Sequence, residues 1–307
     1  MGQFIDPDFM IEGPDAVRED VFAARPITYE QDAWNRFRKN KVSLAAAVLL
    51  LMLVLMTIFG PVASGYPIAE SANTAVRNHA PDTVHWFGTD TMGRDLFTRV
   101  CAGGRVSMAI GLAGAVIVIV LGSIYGGCAA LLGGRADMLM MRIVDILSCV
   151  PNLLVIIMIS VVLDSKSVGT MIFAMTMTGW CPTARLVRSQ MLQISQADYV
   201  LAARLMDIPF LDIVLRHLIP NTMSIIIVDT TFRIPGFIFS EAFLSYVGLG
   251  VQPPQTSWGA LAAEAQSMFQ FYPWQLLFPA GFIALTMLAF TLLGDGLRDA
   301  LDPRLRR

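Results

Sequence analysis

Charge is scarce in this sequence. Asp, Glu, Lys and Arg make up only 15% of its 307 residues, against ~25% in soluble domains, while 55% are hydrophobic. A water-soluble chain of that make-up would expose large apolar patches, so the composition excludes a soluble fold and points to a multi-pass membrane protein. The net charge of −2 gives no reason to expect a nucleic-acid partner. The four cysteines (Cys101, Cys128, Cys149, Cys181) are scattered in apolar contexts and never form a C-x-x-C, so neither a disulfide framework nor a zinc site is implied and small buried hydrophobes are the reading. No G-x-x-x-x-G-K-[ST] loop is present, so the chain is not expected to bind ATP by that route. There is no H-E-x-x-H, no G-x-S-x-G and no pairing of a nucleophile with a base, and the three histidines make no metal-ligand spacing. No resident cofactor or metal is expected.

What is present is a series of apolar runs. Residues 1–33 hold eight acids and two arginines and read as a cytoplasmic tail. The segment 34–41, with Trp34, Phe37 and four cations, suits the cytoplasmic membrane interface. The first span is 42–59, ended by Gly60-Pro61. An outer segment, 61–105, follows. In it Gly88-Thr89-Asp90 reads as a turn with a helix cap, and Gly93-Arg94-Asp95 opens a helix of mixed character. Span two is 106–132, where Gly122-x3-Gly126 would let another helix approach closely. Span three is 143–163, with Asp145 near its inner end and Pro151 inside. After an outer turn at 164–167, span four runs from about Val168 past Trp180 and Pro182. Span five is 223–247, with a kink expected at Pro235-Gly236, and span six is 276–293, followed by an inner tail. The inner segments hold sixteen Lys and Arg and the outer ones five, and 248–275 has none. That bias predicts an all-α membrane protein with six transmembrane helices and both termini cytoplasmic. The divisions are a tail and interfacial helix (1–41), the first helix (42–60), the outer segment (61–105), a five-helix core (106–294) with a cytoplasmic loop (184–221), and a tail (295–307).

Two stretches carry chemistry. The first, 196–221, is polar and charged between apolar runs. Its apolar residues Leu201, Leu205, Ile208, Leu211, Leu215 and Leu218 fall at helical spacing, interrupted by Pro209. The reading is two short amphipathic helices hinged near Asp207-Ile208-Pro209, where Asp207 tolerates a left-handed turn. Such a bent, water-facing pair would serve as a handle for a soluble partner. The second is span five, which contains Asp229, Arg233 and Glu241. A charge at mid-bilayer costs about 2.5–3.5 kcal/mol, so these three should face protein or a water-filled path. Asp229 and Arg233, four apart, share a helix face and can pair. They are either structural or a polar lining that meets substrate.

The loop 196–221 resembles the cytoplasmic "EAA" loop of ABC-importer membrane subunits, E-A-A-x3-G-x9-I-x-L-P. Ala202, Ala203 and Pro220 match. Leu201 stands where the family has Glu, Asp207 where it has Gly, His217 where it has Ile, and Ile219 replaces Leu. FGTDTMGRDLFTRV (87–100), SEAFLSYVGLGVQPPQTSWG (240–259) and LLGDGLRDALDP (292–303) resemble the peptide/nickel permease branch, with the "C" subunit of oligopeptide importers the nearest likeness. The resemblance runs from about Trp34 to the C-terminus. It implies the ABC type I importer permease fold in the inner membrane of a bacterium. It also implies a second, similar permease subunit, one or two cytoplasmic ATPases that bind the ATP, and an extracytoplasmic peptide-binding protein that would dock near the helix after Asp95. Leu201, Ala202, Ala203, Leu205, Asp207 and Pro220 would form the ATPase-coupling contact. Arg233, Glu241 and Asp229 would line the substrate path. A dipeptide or nickel importer is the nearest alternative. A stand-alone proton-coupled transporter using Glu241 or Asp229 is a second, although the sequence shows no sign of the paired broken helices that many such proteins carry in two halves.

Overall fold

The computed structural model describes residues 29–67, 73–213, 218–253 and 255–301. Most of the acidic tail, residues 214–217 of the loop (with Leu215 and His217) and the last six residues lie outside these. The described residues are helical, with no strand among them.

The chain begins with α1 (Tyr29–Lys39), the expected interfacial helix, whose Trp34 and Phe37 rings stack at 5.9 Å. Asn40 then accepts from the backbone N–H groups of Val42 and Ser43 and starts α2 (Lys41–Ser64). This first span does not stop at Gly60-Pro61. Pro61 lacks the N–H that would bond the Thr57 carbonyl, and that carbonyl instead accepts from Arg105 Nε at 2.7 Å, with Ile58 O taking a second guanidinium bond. With its carbonyls satisfied, the helix continues for another turn.

α3 (Leu96–Leu132) is longer than the predicted span two. Its 37 residues rise ~56 Å and absorb the end of the outer segment. It is capped by Asp95, not by Asp90. Asp95 Oδ2 accepts from Thr98 N at 2.8 Å, whereas Asp90 closes a turn through the Met92 and Arg94 N–H groups. Gly93 in that turn has φ 79°, and a Cβ there would fall on the Asn73 carbonyl. α3 is the most buried of the long apolar helices. Its glycines carry the predicted close approach: a Cβ on Gly126 would sit 2.2 Å from Ala184 O, and one on Gly122 2.7 Å from Thr183 Cβ.

Predicted span three is broken. α4 (Gly134–Cys149) and α5 (Asn152–Val162) meet at a 79° bend around Pro151. Val150 is extended (φ −83°, ψ 124°), as a residue before proline prefers, so the continuous apolar run folds as two helices. Predicted span four is likewise divided, into α6 (Val168–Gly179) and α7 (Cys181–Ser195) on either side of Trp180. α6, ~18 Å long, is too short to cross a ~30 Å hydrocarbon layer by itself. Then come α8 (Asp198–Leu205) and α9 (Phe210–Ile213) of the loop. α10 (Ile219–Tyr246) passes helically through Pro235, and α11 (Trp258–Ala265) and α12 (Trp274–Leu301) complete the order. Among the described residues four helices (α2, α3, α10, α12) are long and apolar enough to span a membrane, or five spans when the bent pair α4–α5 is counted as one.

The main core lies where α3, α5, α6 and α10 meet, around Ile110, Val118, Ile156, Met175 and Ile238. A second joins α2, α3, α11 and α12 around Leu53, Val100, Trp258 and Phe282. Of the four cysteines, Cys101 and Cys181 are buried as expected. Cys128 and Cys149 are exposed, because the apolar runs that contain them turn those positions outward.

Candidate functional site

The loop forms the predicted hinge. α8 ends in a turn where Asp207 takes φ 52°, and the Ile208 N–H reaches back to Ala203 O at 3.3 Å. The left-handed residue satisfies the last carbonyls of α8 and redirects the chain at Pro209 into α9. Val200, Ala203, Ile213 and Leu218 form a small buried core, packed against Leu131 at the end of α3 and Ile194 at the end of α7. With Ile219 of α10 packed on the same core, the loop is fastened to the ends of α3, α7 and α10.

Its predicted contact residues divide by face. Leu205 is 88% exposed, Met206 68% and Leu201 44%. Ala202 and Asp207 are also exposed, and Pro220 is exposed in the first turn of α10. Ala203 departs from the expectation of a contact residue: it is buried in the loop's own core, because α9 covers that face of α8. Met206 was not singled out from the sequence, although it lies beside the hinge.

Asp229 and Arg233 pair as their spacing predicts, with Arg233 Nε 3.2 Å from Asp229 Oδ2, and Thr183 on α7 donates to the same oxygen at 2.9 Å. Both side chains are part-buried. Asp229 opens on a cleft of ≈830 Å³ between α7, α10 and α12, whose polar lining includes Gln190, Gln193, Ser224 and Arg298. Glu241 does not join them. It is fully buried and accepts from Ser107 (3.1 Å), Ser245 (2.7 Å) and Ser257 (2.6 Å), so, unlike Asp229, it presents no atom to this cleft. The three serines come from α3, from α10 itself and from the cap of α11, a grouping that sequence spacing could not reveal.

At the other end of the molecule the motif 87–100 builds a rigid cap. Arg99, itself buried, donates to Asp90 at 2.7 Å and to both oxygens of Glu264 at 2.8 and 3.2 Å, and Arg94 bonds Asp90 at 2.7 Å. Gln275 on α12 reaches Asn78 and Thr89 O, each at 2.9 Å. His85 Nδ1 lies 3.0 Å from Asp95. At the neighbouring turn, the His85 N–H and then the Val84 N–H on the Asp82 carboxylate hold its pKa below the usual range. The cap thus ties the outer segment to α11 and α12.

Comparison with known proteins agrees with this architecture. Residues 118–307 match the family described as binding-protein-dependent transport system inner membrane component, and residues 28–81 match the N-terminal TM domain of oligopeptide transport permease C. The oligopeptide transport system permease protein OppC of Bacillus subtilis is 46% identical over 94% of either chain. The dipeptide transport system permease protein DppC of the same organism is 46% identical over 94% of this chain and 91% of its own. The glutathione transport system permease protein GsiD of Shigella boydii is 39% identical over 94% and 97%. On these matches, which together span nearly its whole length, the chain belongs to the family of binding-protein-dependent transport system inner membrane components.

Proposed function

We propose that this chain is the membrane-spanning permease subunit of an ATP-binding-cassette importer that takes up oligopeptides across the inner membrane of a bacterium. The observation that carries the reading is the hinged loop α8–α9. It offers exposed Leu201, Leu205 and Met206 while its inner face is packed onto the ends of α3, α7 and α10. A polar-side loop with that much apolar surface is suited to seat in a groove of a soluble protein. The strong likeness to permeases of oligopeptide and dipeptide systems supports ATPases and a binding protein as the partners.

In this account six spans cross the membrane: α2, α3, the bent pair α4–α5, the pair α6–α7, α10 and α12, with both termini cytoplasmic. The chain hydrolyses nothing. ATP closes a pair of partner ATPases, and α8 moves with the ATPase it is seated in. Leu201, Ala202, Leu205 and Asp207 make that contact, Ala203 transfers the motion inward, and Pro220 begins the helix that receives it. A path between this chain and a second, similar permease then alternates its opening. Asp229 and Arg233 sit on that path, where a paired acid and base meet a peptide's charged ends without leaving either charge unpaired in the membrane.

The test is purification of the intact complex in mild detergent with ATPase activity assayed on what co-purifies. Co-purification of a second permease and ATPases, with hydrolysis raised by a peptide-loaded binding protein, is the expected result. Purification of the chain alone, moving substrate down a proton gradient, would overturn the reading. Dipeptides competing as well as longer peptides would move the substrate assignment to the dipeptide branch.

A further inference from the structure

Glu241 is the most completely enclosed charge-bearing side chain among the described residues, and the contacts around it link three helices. Its Oε1 accepts from Ser257, which also caps α11 by accepting the Ala260 N–H at 3.0 Å. Its Oε2 accepts from Ser107 of α3, and Ser107 in turn accepts the Trp258 N–H at 3.1 Å. Trp258, fully buried, sends its indole N–H to Val100 O at 2.8 Å. The backbones close in around this point: a Cβ on Gly259 would lie 2.4 Å from Ala242 Cα, and one on Gly103 3.0 Å from the Ser257 carbonyl carbon. The far end of α11 is held by Glu264 against Arg99. α11 is therefore clamped at both ends. The clamp at its start belongs to α10, whose other end, ~33 Å away along the helix, is packed on the coupling loop through Leu218 and Ile219.

We propose that Glu241 is a positioning residue for transport. It fixes the outer-face helix α11 to α10 and α3, so that a change at the outer face reaches the coupling loop, and movement of the loop reaches the outer face, through one rigid body. The proposal rests on the importer reading. A carboxyl group suits the place because its two oxygens can meet three hydroxyls at once. Coupling of this sort needs an element with two arrangements that both ends bias. The α10–α11 unit is that element.

The test uses the complete complex, reconstituted in lipid nanodiscs, with basal ATPase activity and its stimulation by peptide-loaded binding protein measured separately. Glu241→Ala is expected to keep basal hydrolysis and to lower the stimulated increment about tenfold, toward the lower end of the roughly 5–150-fold usual for coupling between sites. Glu241→Gln, which keeps the shape and can still bond the serines, should restore most of it. Ser257→Ala, which removes the bond between helices, should weaken stimulation more than Ser245→Ala, which removes one within α10. These two serine variants decide the matter if the alanine at 241 fails to assemble. Wild-type stimulation in both Glu241→Ala and Ser257→Ala would overturn the proposal, as would parallel loss of basal and stimulated activity, the mark of a merely structural role. A wild-type complex that never responds to the loaded binding protein would instead overturn the importer reading, and this inference with it.

Discussion

Replacing Leu205 by alanine removes the most exposed apolar side chain among the described residues of the loop 196–221. Leu205 is 88% exposed, so the isolated subunit loses no packing, and its stability should change by no more than about 0.5 kcal/mol. Docking is a different matter. Full burial of a leucine side chain is worth about 1.5–3 kcal/mol. If the ATPase covers Leu205, truncation should weaken the permease–ATPase contact by about 2 kcal/mol, roughly thirtyfold in affinity. The assay is binding of purified ATPase to the permease pair in nanodiscs, followed by peptide uptake at fixed ATPase concentration. Uptake should fall in step with occupancy and recover when ATPase is added in excess. An affinity unchanged within about twofold would refute the assignment of this face, since no other described side chain of α8 exposes as large a share of its apolar surface.

Other perturbations bear on other parts of the account. Leu201→Arg, on the same face four residues earlier, should leave ATP hydrolysis running while peptide uptake falls, read as moles of peptide per ATP. Gly126→Ala places a methyl group against the Ala184 carbonyl and should force α3 from α7; overpacking of this kind costs about 1–3 kcal/mol, visible as a lower Tm in detergent. Arg99→Met takes the buried cation from between Asp90 and Glu264 and leaves them the part-buried Arg94, which pairs with both. Because Arg94 remains and Glu264 can turn to water, the loss should fall below the about 3–5 kcal/mol seen for broken buried pairs, detected as faster proteolysis of the outer segment. Asp82 ionises more readily in the folded loop than in an unfolded one, so its contribution is present above the usual carboxylate range and is lost as pH falls through the depressed value. Hydrogen-exchange protection of the Val84 and His85 amides should drop in that acid window, and Asp82→Asn should abolish the pH dependence.

Features set by short spacing were legible in the sequence. The hinge at Asp207-Ile208-Pro209 follows from one residue tolerant of φ > 0 and one that cannot continue a helix. The Asp229–Arg233 pair follows from four-residue spacing, and the α3–α7 approach from two glycines one turn apart. What escaped depends on partners far away in the chain. Pro61 reads as a helix end, and only Arg105, 47 residues or more beyond the carbonyls it bonds, makes it an interior residue. Pro151 was visible inside an apolar run, but hydropathy alone does not distinguish a kinked span from a 79° bend. Ala203 lies in the helical pattern beside Ala202, and the packing of α9 decides that one alanine points in and the other out. Glu241 read as a costly membrane charge in want of a function. Its hydroxyl partners on α3 and at the start of α11 lie 134 and 16 residues away and supply the compensation that the sequence concealed.

The most direct test of the central claim is uptake of a labelled peptide into proteoliposomes that hold the whole complex, with ATP either enclosed or absent and a proton gradient either imposed or collapsed. The account predicts that accumulation requires enclosed ATP and external binding protein and is unaffected by a protonophore. Accumulation driven by the proton gradient without ATP would contradict it.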